Sequence, residues 1–94
     1  MKAMLAGRTL AESGDVVECG GYHYFPRSAV RMDLLAAAEK TQGDRACPHG
    51  VRFYDALVDG VRHERVAWSY EAPREALSHV AQRFGFWEDV DVLD

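Results

Sequence analysis

The chain is short of several things that would place it quickly. It has two cysteines, three prolines and no excess of positive charge, its formal net charge being -4. No apolar run approaches the roughly 20 residues of a membrane span. The N-terminal cluster Ala3-Met4-Leu5-Ala6 is too short for the ~7–15-residue apolar region of a signal peptide, so a cytoplasmic location is expected. An acidic balance argues against non-specific binding to nucleic acid or an anionic membrane, which draws on Lys and Arg. No Cys-x-x-Cys knuckle is available for structural zinc, and no Gly-x-Ser-x-Gly elbow for a serine hydrolase. Cys19 and Cys47 in a reducing compartment are expected to remain thiols. There is no internal repeat, low-complexity segment or interior linker, so residues 1–94 read as a single domain.

What is present is apolar side chains, 48% of the chain with 11% aromatic, arranged mostly with the two-residue period of strands. Arg8 to Glu12 reads as a strand. Ser13-Gly14-Asp15 is turn chemistry, and Val16 to Cys19 resumes as a β-branched strand. Gly20-Gly21 suits a two-residue hairpin loop, whose central positions favour positive φ. Tyr22 to Phe25 returns until Pro26, which has no backbone donor for the ladder. From Arg27 to Lys40 the pattern fits both a helix capped by Ser28 and a short turn followed by a strand. Thr41 to Arg45 reads as a polar loop.

Val51 to Val58 has the length and composition of a strand, and Asp59-Gly60 is a strong hairpin signal. Beyond it Val66, Trp68 and Tyr70 alternate with Ala67, Ser69 and Glu71. Large side chains are thus expected on one face and small or polar ones on the other. After Pro73, the residues Ala76, Leu77, Val80, Ala81 and Phe84 form an apolar stripe, predicting one late α-helix between Arg74 and Arg83. Val90 and Val92, alternating with Asp89 and Asp91, close the chain as a strand. The fold class expected is a mainly β, antiparallel domain with that one helix.

In order along the chain stand Ala11-Glu12-Ser13, Tyr24-Phe25-Pro26, Thr41 ahead of Cys47-Pro48, Tyr54 before Val58-Asp59-Gly60, Ala67-Trp68-Ser69-Tyr70 with Pro73, and a closing Phe86. This ordered set resembles the bacterial family called domain of unknown function 427, which also carries a nucleotidyltransferase-like label. The resemblance covers nearly the whole chain. It implies a small β-tent-type domain, in which antiparallel sheets meet at an angle over a cleft lined by the Tyr-Phe-Pro, Cys-Pro and Trp-Ser-Tyr segments. It implies no activity. The family usually reads Cys-Pro, one residue, then Lys-Gly; here His49 precedes Gly50 directly, so the lysine has no counterpart.

Four chemistries compete for those segments. Cys19, His23, Cys47 and His49 could make a Cys2His2 metal set, but neither spacing is a zinc pattern, and no metal or other cofactor is expected. Cys47 with His49, His23 or His63 could form a thiolate–imidazole pair. Asp89-Val90-Asp91 has the paired carboxylates of a magnesium-dependent nucleotidyl transfer site. It lacks the Gly-Ser turn ahead of it, and charged residues on an edge strand are the plainer reading. Tyrosine and tryptophan around proline loops could instead wall an apolar cleft with polar tips. The competing reading makes them core. The favoured site is that cleft, at Tyr24, Pro26, Cys47, Pro48, His49, Trp68 and Tyr70, with Phe25 as a further wall and a small molecule or peptide as ligand. The alternatives are a small enzyme using Cys47 or His49 in the same cleft, and a domain pairing with a second copy through a strand edge.

Overall fold

A computed structural model describes all of residues 1–94, and its architecture follows from three hairpins built alike. Ala6-Gly7 joins β1 (Lys2–Leu5) to β2 (Arg8–Glu12), and Gly20-Gly21 joins β3 (Val17–Cys19) to β4 (Tyr22–Tyr24). After β5 (Leu35–Ala37) and the single α-helix, α1 (Gln42–Ala46), Asp59-Gly60 joins β6 (Val51–Val58) to β7 (Val61–Tyr70). In each loop both residues have positive φ, from 49° at Ala6 to 86° at Gly21. That is the two-residue turn whose twist matches the strands it connects. The last strands are β8 (Phe84–Phe86) and β9 (Asp91–Leu93).

These strands form three antiparallel sheets, in the orders β2-β1-β9, β3-β4 and β5-β6-β7-β8. The β3-β4 hairpin is tied to the four-stranded sheet where Phe25 and Phe84 exchange both backbone hydrogen bonds, each 2.9 Å. The chain is therefore mainly β, as its alternation predicts. No helix is long and apolar enough to cross a membrane.

Both faces of the four-stranded sheet are covered. The register sets Tyr54 opposite Ala67 opposite Phe86, and Phe53 opposite Trp68 opposite Gly85. Neighbouring residues of a strand point to opposite faces, so these two rows serve two clusters. One face packs on the three-stranded sheet: Tyr54, Ala56, Val58, Ala67, Phe84 and Phe86 join Ala3, Leu5, Leu10, Ala11 and Val90. Trp68 and Val51 on the other face form a second cluster with Tyr24 and Val80. Ala67 and Ser69 stand on the face expected to carry the small side chains, and that face is the core. Both are buried, and they are small because each pairs with a phenylalanine, Ala67 with Phe86 and Ser69 with Phe84.

Two further readings change, and the segment left open between helix and turn-then-strand takes the second form. The late α-helix predicted between Arg74 and Arg83 is a 3₁₀ helix over Glu75–Val80, and of its residues only Val80 is buried. One buried anchor cannot hold the wide apolar stripe that an α-helix of that length would present. The segment open to two readings, Arg27 to Lys40, contains two 3₁₀ turns, Arg27–Ala29 and Met32–Leu34, and then β5. The polar loop after Thr41 holds α1. There the Thr41 hydroxyl accepts from the Asp44 N–H at 3.2 Å, and an Asp44 carboxylate oxygen accepts from the Thr41 N–H at 3.1 Å. This reciprocal cap starts a helix that periodicity could not reveal in so few residues.

Candidate functional site

Strand β7 is continuous in the sheet but carries a bulge at Arg65, whose φ is 52°. Opposite it the ladder jumps from Tyr54↔Ala67 to Ala56↔His63. The buried carboxylate of Asp55 stabilises the bulge: it accepts the Arg65 backbone N–H at 2.9 Å and the Arg62 Nε–H at 2.8 Å. Bulges re-aim side chains, and here the exposed groups of Arg65 are all used. Its carbonyl accepts the Trp87 indole N–H at 2.7 Å. Its guanidinium donates twice to the Asp44 carboxylate, at 3.0 and 2.9 Å, and lies 4.0 Å from the Phe53 ring centre. Asp44 is held well below the usual carboxylate range, at about 2, first by the hydrogen bonds from Arg65 and then by those of Thr41, with burial working against them.

Arg65 thus fixes two rings, Phe53 and Trp87, beside Trp68. The hairpin β3-β4 adds Tyr22, and β6 and β7 add Val51 and Tyr70. Together these six side chains line a solvent-open pocket of about 150 Å³ with no charged group in its wall. Tyr22 meets Trp68 edge-on at 5.0 Å between ring centres and 86°, and Trp68 meets Trp87 at 5.3 Å and 67°. Such edge-to-face contacts add ~0.5–1.5 kcal/mol each beyond area burial.

Of the residues expected at the site, Trp68 and Tyr70 line the pocket. Tyr24 and Cys47 belong to the side-chain cluster behind it. The segments around Tyr24, Cys47 and Trp68 therefore meet in one side-chain cluster. The hydroxyl of Tyr24 is pushed up to about 12, chiefly by burial; the neighbouring Tyr70 adds to this and the Trp68 indole N–H opposes it. That indole N–H is buried and completes no hydrogen bond of good geometry, with Tyr24 or any other group.

Pro26, Pro48 and His49 stand outside the pocket wall. Pro26 precedes the first 3₁₀ turn, its carbonyl accepting from the Ala29 N–H at 2.9 Å. Pro48 is exposed in the turn after α1. His49 uses Nδ1 to accept the Arg74 backbone N–H at 3.0 Å and meets Tyr70 in a T-shaped contact, 5.7 Å between ring centres. It pins the loop before the late 3₁₀ helix. Phe25 is fully buried in the main core and belongs to the other cluster. Four lining residues, Tyr22, Val51, Phe53 and Trp87, were not expected there. Phe53 and Val51 could have been found by extending the Asp59-Gly60 hairpin register, which sets them on the Trp68 and Tyr70 face. Trp87 was hidden, because its position depends on the Arg65 bulge.

The other chemistries find little to work with. Cys47 has no hydrogen-bonded imidazole: His23 faces Glu18 at 3.2 Å, His63 faces Asp89 at 3.2 Å, and His49 is engaged with Arg74. Cys19, His23, Cys47 and His49 do not assemble, since no three His, Cys, Asp or Glu side chains come close enough to share a metal ion. Asp91 lies on β9, the outer strand of its sheet, and is exposed.

Raising the pH tests the buried hydroxyl. Tyr24 ionises near 10 when unfolded and near 12 in the fold. Between those values the folded state binds the extra proton, so its stabilising effect is complete below about pH 10 and is lost as pH rises to about 12. Denaturation midpoints should fall over that window, by an amount on the order of 2 kcal/mol. Tyr24→Phe should remove this component, and an unchanged alkaline limb in that variant would contradict it.

No curated protein matches the sequence. The sequence model of the family described as a domain of unknown function, DUF427, matches residues 1–94, and the chain belongs to that family.

Proposed function

We propose that the protein binds a small ligand in the pocket of Tyr22, Val51, Phe53, Trp68, Tyr70 and Trp87. The observation that carries this reading is the composition of the wall: six hydrophobic residues, five of them aromatic, around an open pocket. Rings of this size contribute most when desolvated, and an open apolar hollow with a rigid frame is the usual form of a ligand site. A volume of about 150 Å³ matches a cavity that accepts one benzene-sized group. The recognised unit is therefore a single compact group of a metabolite or one side chain of a peptide. Binding is favoured over catalysis because no nucleophile and base are aimed at each other beside the pocket. The free thiols Cys19 and Cys47 support a reducing, cytoplasmic setting for this activity.

The chain's two tryptophans both line the pocket, so intrinsic fluorescence reports on this site directly. A thermal-shift screen of metabolites, followed by fluorescence titration of each hit, tests the proposal. A ligand at 100 times its dissociation constant adds about 2.7 kcal/mol, which is a rise of roughly 10–20 °C for a domain of this size. A hit that stabilises without changing the tryptophan emission binds elsewhere and counts against the pocket, as does a flat screen.

A further inference from the structure

We infer that the group this pocket accepts is a methylated ammonium, a compact cation held by ring faces. The inference rests on the pocket reading above and follows from how the rings are turned.

A flat aromatic ligand needs two parallel walls separated by two ring–ring spacings, about 7 Å. Among the lining rings in direct contact, the nearly parallel pair is Phe53 and Trp87, at 26°, and their centres are 5.9 Å apart. They stack on each other and leave no slot. Three of the other wall contacts are steep, Tyr22 at 86° to Trp68 and 81° to Trp87, and Trp68 at 67° to Trp87, while Phe53 is tilted at 46° to Trp68. Steeply turned faces enclose a rounded space, which suits a branched group better than a sheet-like one. The pocket volume of about 150 Å³ has room for a trimethylammonium group.

The same walls discriminate by charge. Ring faces carry negative electrostatic potential and attract cations, most strongly at tryptophan. The lining contains two tryptophans and no Lys, Arg or His. It also has no carboxylate, and an unmethylated ammonium entering such a wall would lose its hydrogen bonds to water without replacement. A methylated ammonium has fewer or none to lose. Arg65 lies against the Phe53 ring, and its charge is matched by the two bonds to Asp44. Beyond the wall, Glu88 follows Trp87, is exposed and forms no ion pair, and the whole chain carries a net charge of -4. A positive ligand is the one this surroundings favours.

The test is a set of tryptophan-fluorescence titrations at constant ionic strength. Choline should saturate at concentrations on the order of millimolar or below, and its uncharged isostere 3,3-dimethyl-1-butanol should bind at least ~tenfold more weakly. Ethanolamine, with the charge but no methyl groups, should also be weak. A short peptide bearing one trimethyllysine is the second arm: tighter binding than choline identifies a peptide source for the group, and equal or weaker binding a free quaternary amine. Tyr22→Ala, at a wall residue 40% exposed, gives up its edge contacts with Trp68 and Trp87; it should stay folded with a melting temperature lower by roughly 4–8 °C and weaken choline by about fivefold or more. Unchanged choline binding in that variant would overturn the inference. Equal binding of choline and its neutral isostere would overturn the ammonium class while leaving the pocket intact, as would saturation by indole without choline. Silence from all of these ligands would remove both readings.

Discussion

Gly85→Ala is expected to lower stability by about 2–3 kcal/mol and to disturb the pocket from behind. A Cβ placed on Gly85 would stand 2.6 Å from Trp68 Cζ2 and 2.8 Å from Cε2. The indole cannot bend, and its 4% exposure means that packed neighbours surround it. Either Trp68 leaves its position or β8 separates from β7, and overpacking of a filled site costs typically ~1–3 kcal/mol. Gly85 does not have the positive φ that would strain alanine, so the loss would come from the contact alone. Gly43→Ala supplies the contrast. It lies in α1 with only the Thr41 hydroxyl nearby, at 3.8 Å, and should be neutral or stabilising by up to ~1 kcal/mol. Urea denaturation of the two variants checks this. Equal stability would mean that Trp68 is not packed on Gly85. A shift in tryptophan emission confined to Gly85→Ala would confirm that the pocket wall had moved.

This glycine also shows why the site was only half legible. Sequence alternation set Trp68 and Tyr70 on one face, and the Asp59-Gly60 turn gave β6 its partner. Gly85, by contrast, suits a helix stop or a strand start equally well by composition; its reason for being glycine is the indole across the ladder, a contact with no signature in the local sequence. The same holds for β1. Its connection to β2 is Ala6-Gly7, and alanine at a φ of 49° is an unfavourable residue for that conformation, tolerated because strands on both sides of β1 hold it. A turn whose composition contradicts its shape cannot be read from composition. The late helix is 3₁₀ for a different reason: alanines and a proline give α-helical propensity, but only Val80 is buried, with Leu77 packed partly against the same cluster. Propensity chose the wrong helix where burial had little to say. The Tyr24, Cys47 and Trp68 segments were found because residues that pack in a shared cluster are large or apolar in the sequence as well. His49 and the two prolines were placed by their turn chemistry, which located loops near the pocket without putting them in its wall.

The largest effect outside the core is expected at Arg65, whose role came from the bulge alone. Arg65→Ala would leave the backbone bonds to Asp55 and Trp87 available but would strip Asp44 of its cation and Phe53 of the guanidinium above it. Breaking a buried ion pair on one side costs about 3–5 kcal/mol. Arg65 is 34% exposed against 8% for Asp44, so water softens the loss, and about 2–3 kcal/mol is the expected decrease in urea. The pH dependence separates this pair from simple loss of packing. Asp44 has its carboxyl lowered to about 2 in the fold from an ordinary value of 3.8. The unfolded state therefore binds the proton first on acidification. The stabilising effect is complete above about pH 4 and is lost as pH falls to about 2. With solvent screening near the surface of so small a domain, it amounts to about 1 kcal/mol. The wild type should show that acid limb, and Arg65→Ala should lose most of it because its Asp44 is no longer held ionised. Arg65→Lys should restore part of the charge effect but not the paired bonds or the flat stacking on Phe53. If Arg65→Ala kept the full acid limb, Thr41 and the helix cap would be sufficient to hold Asp44. The bulge would then organise the aromatic pocket through the Trp87 indole bond alone.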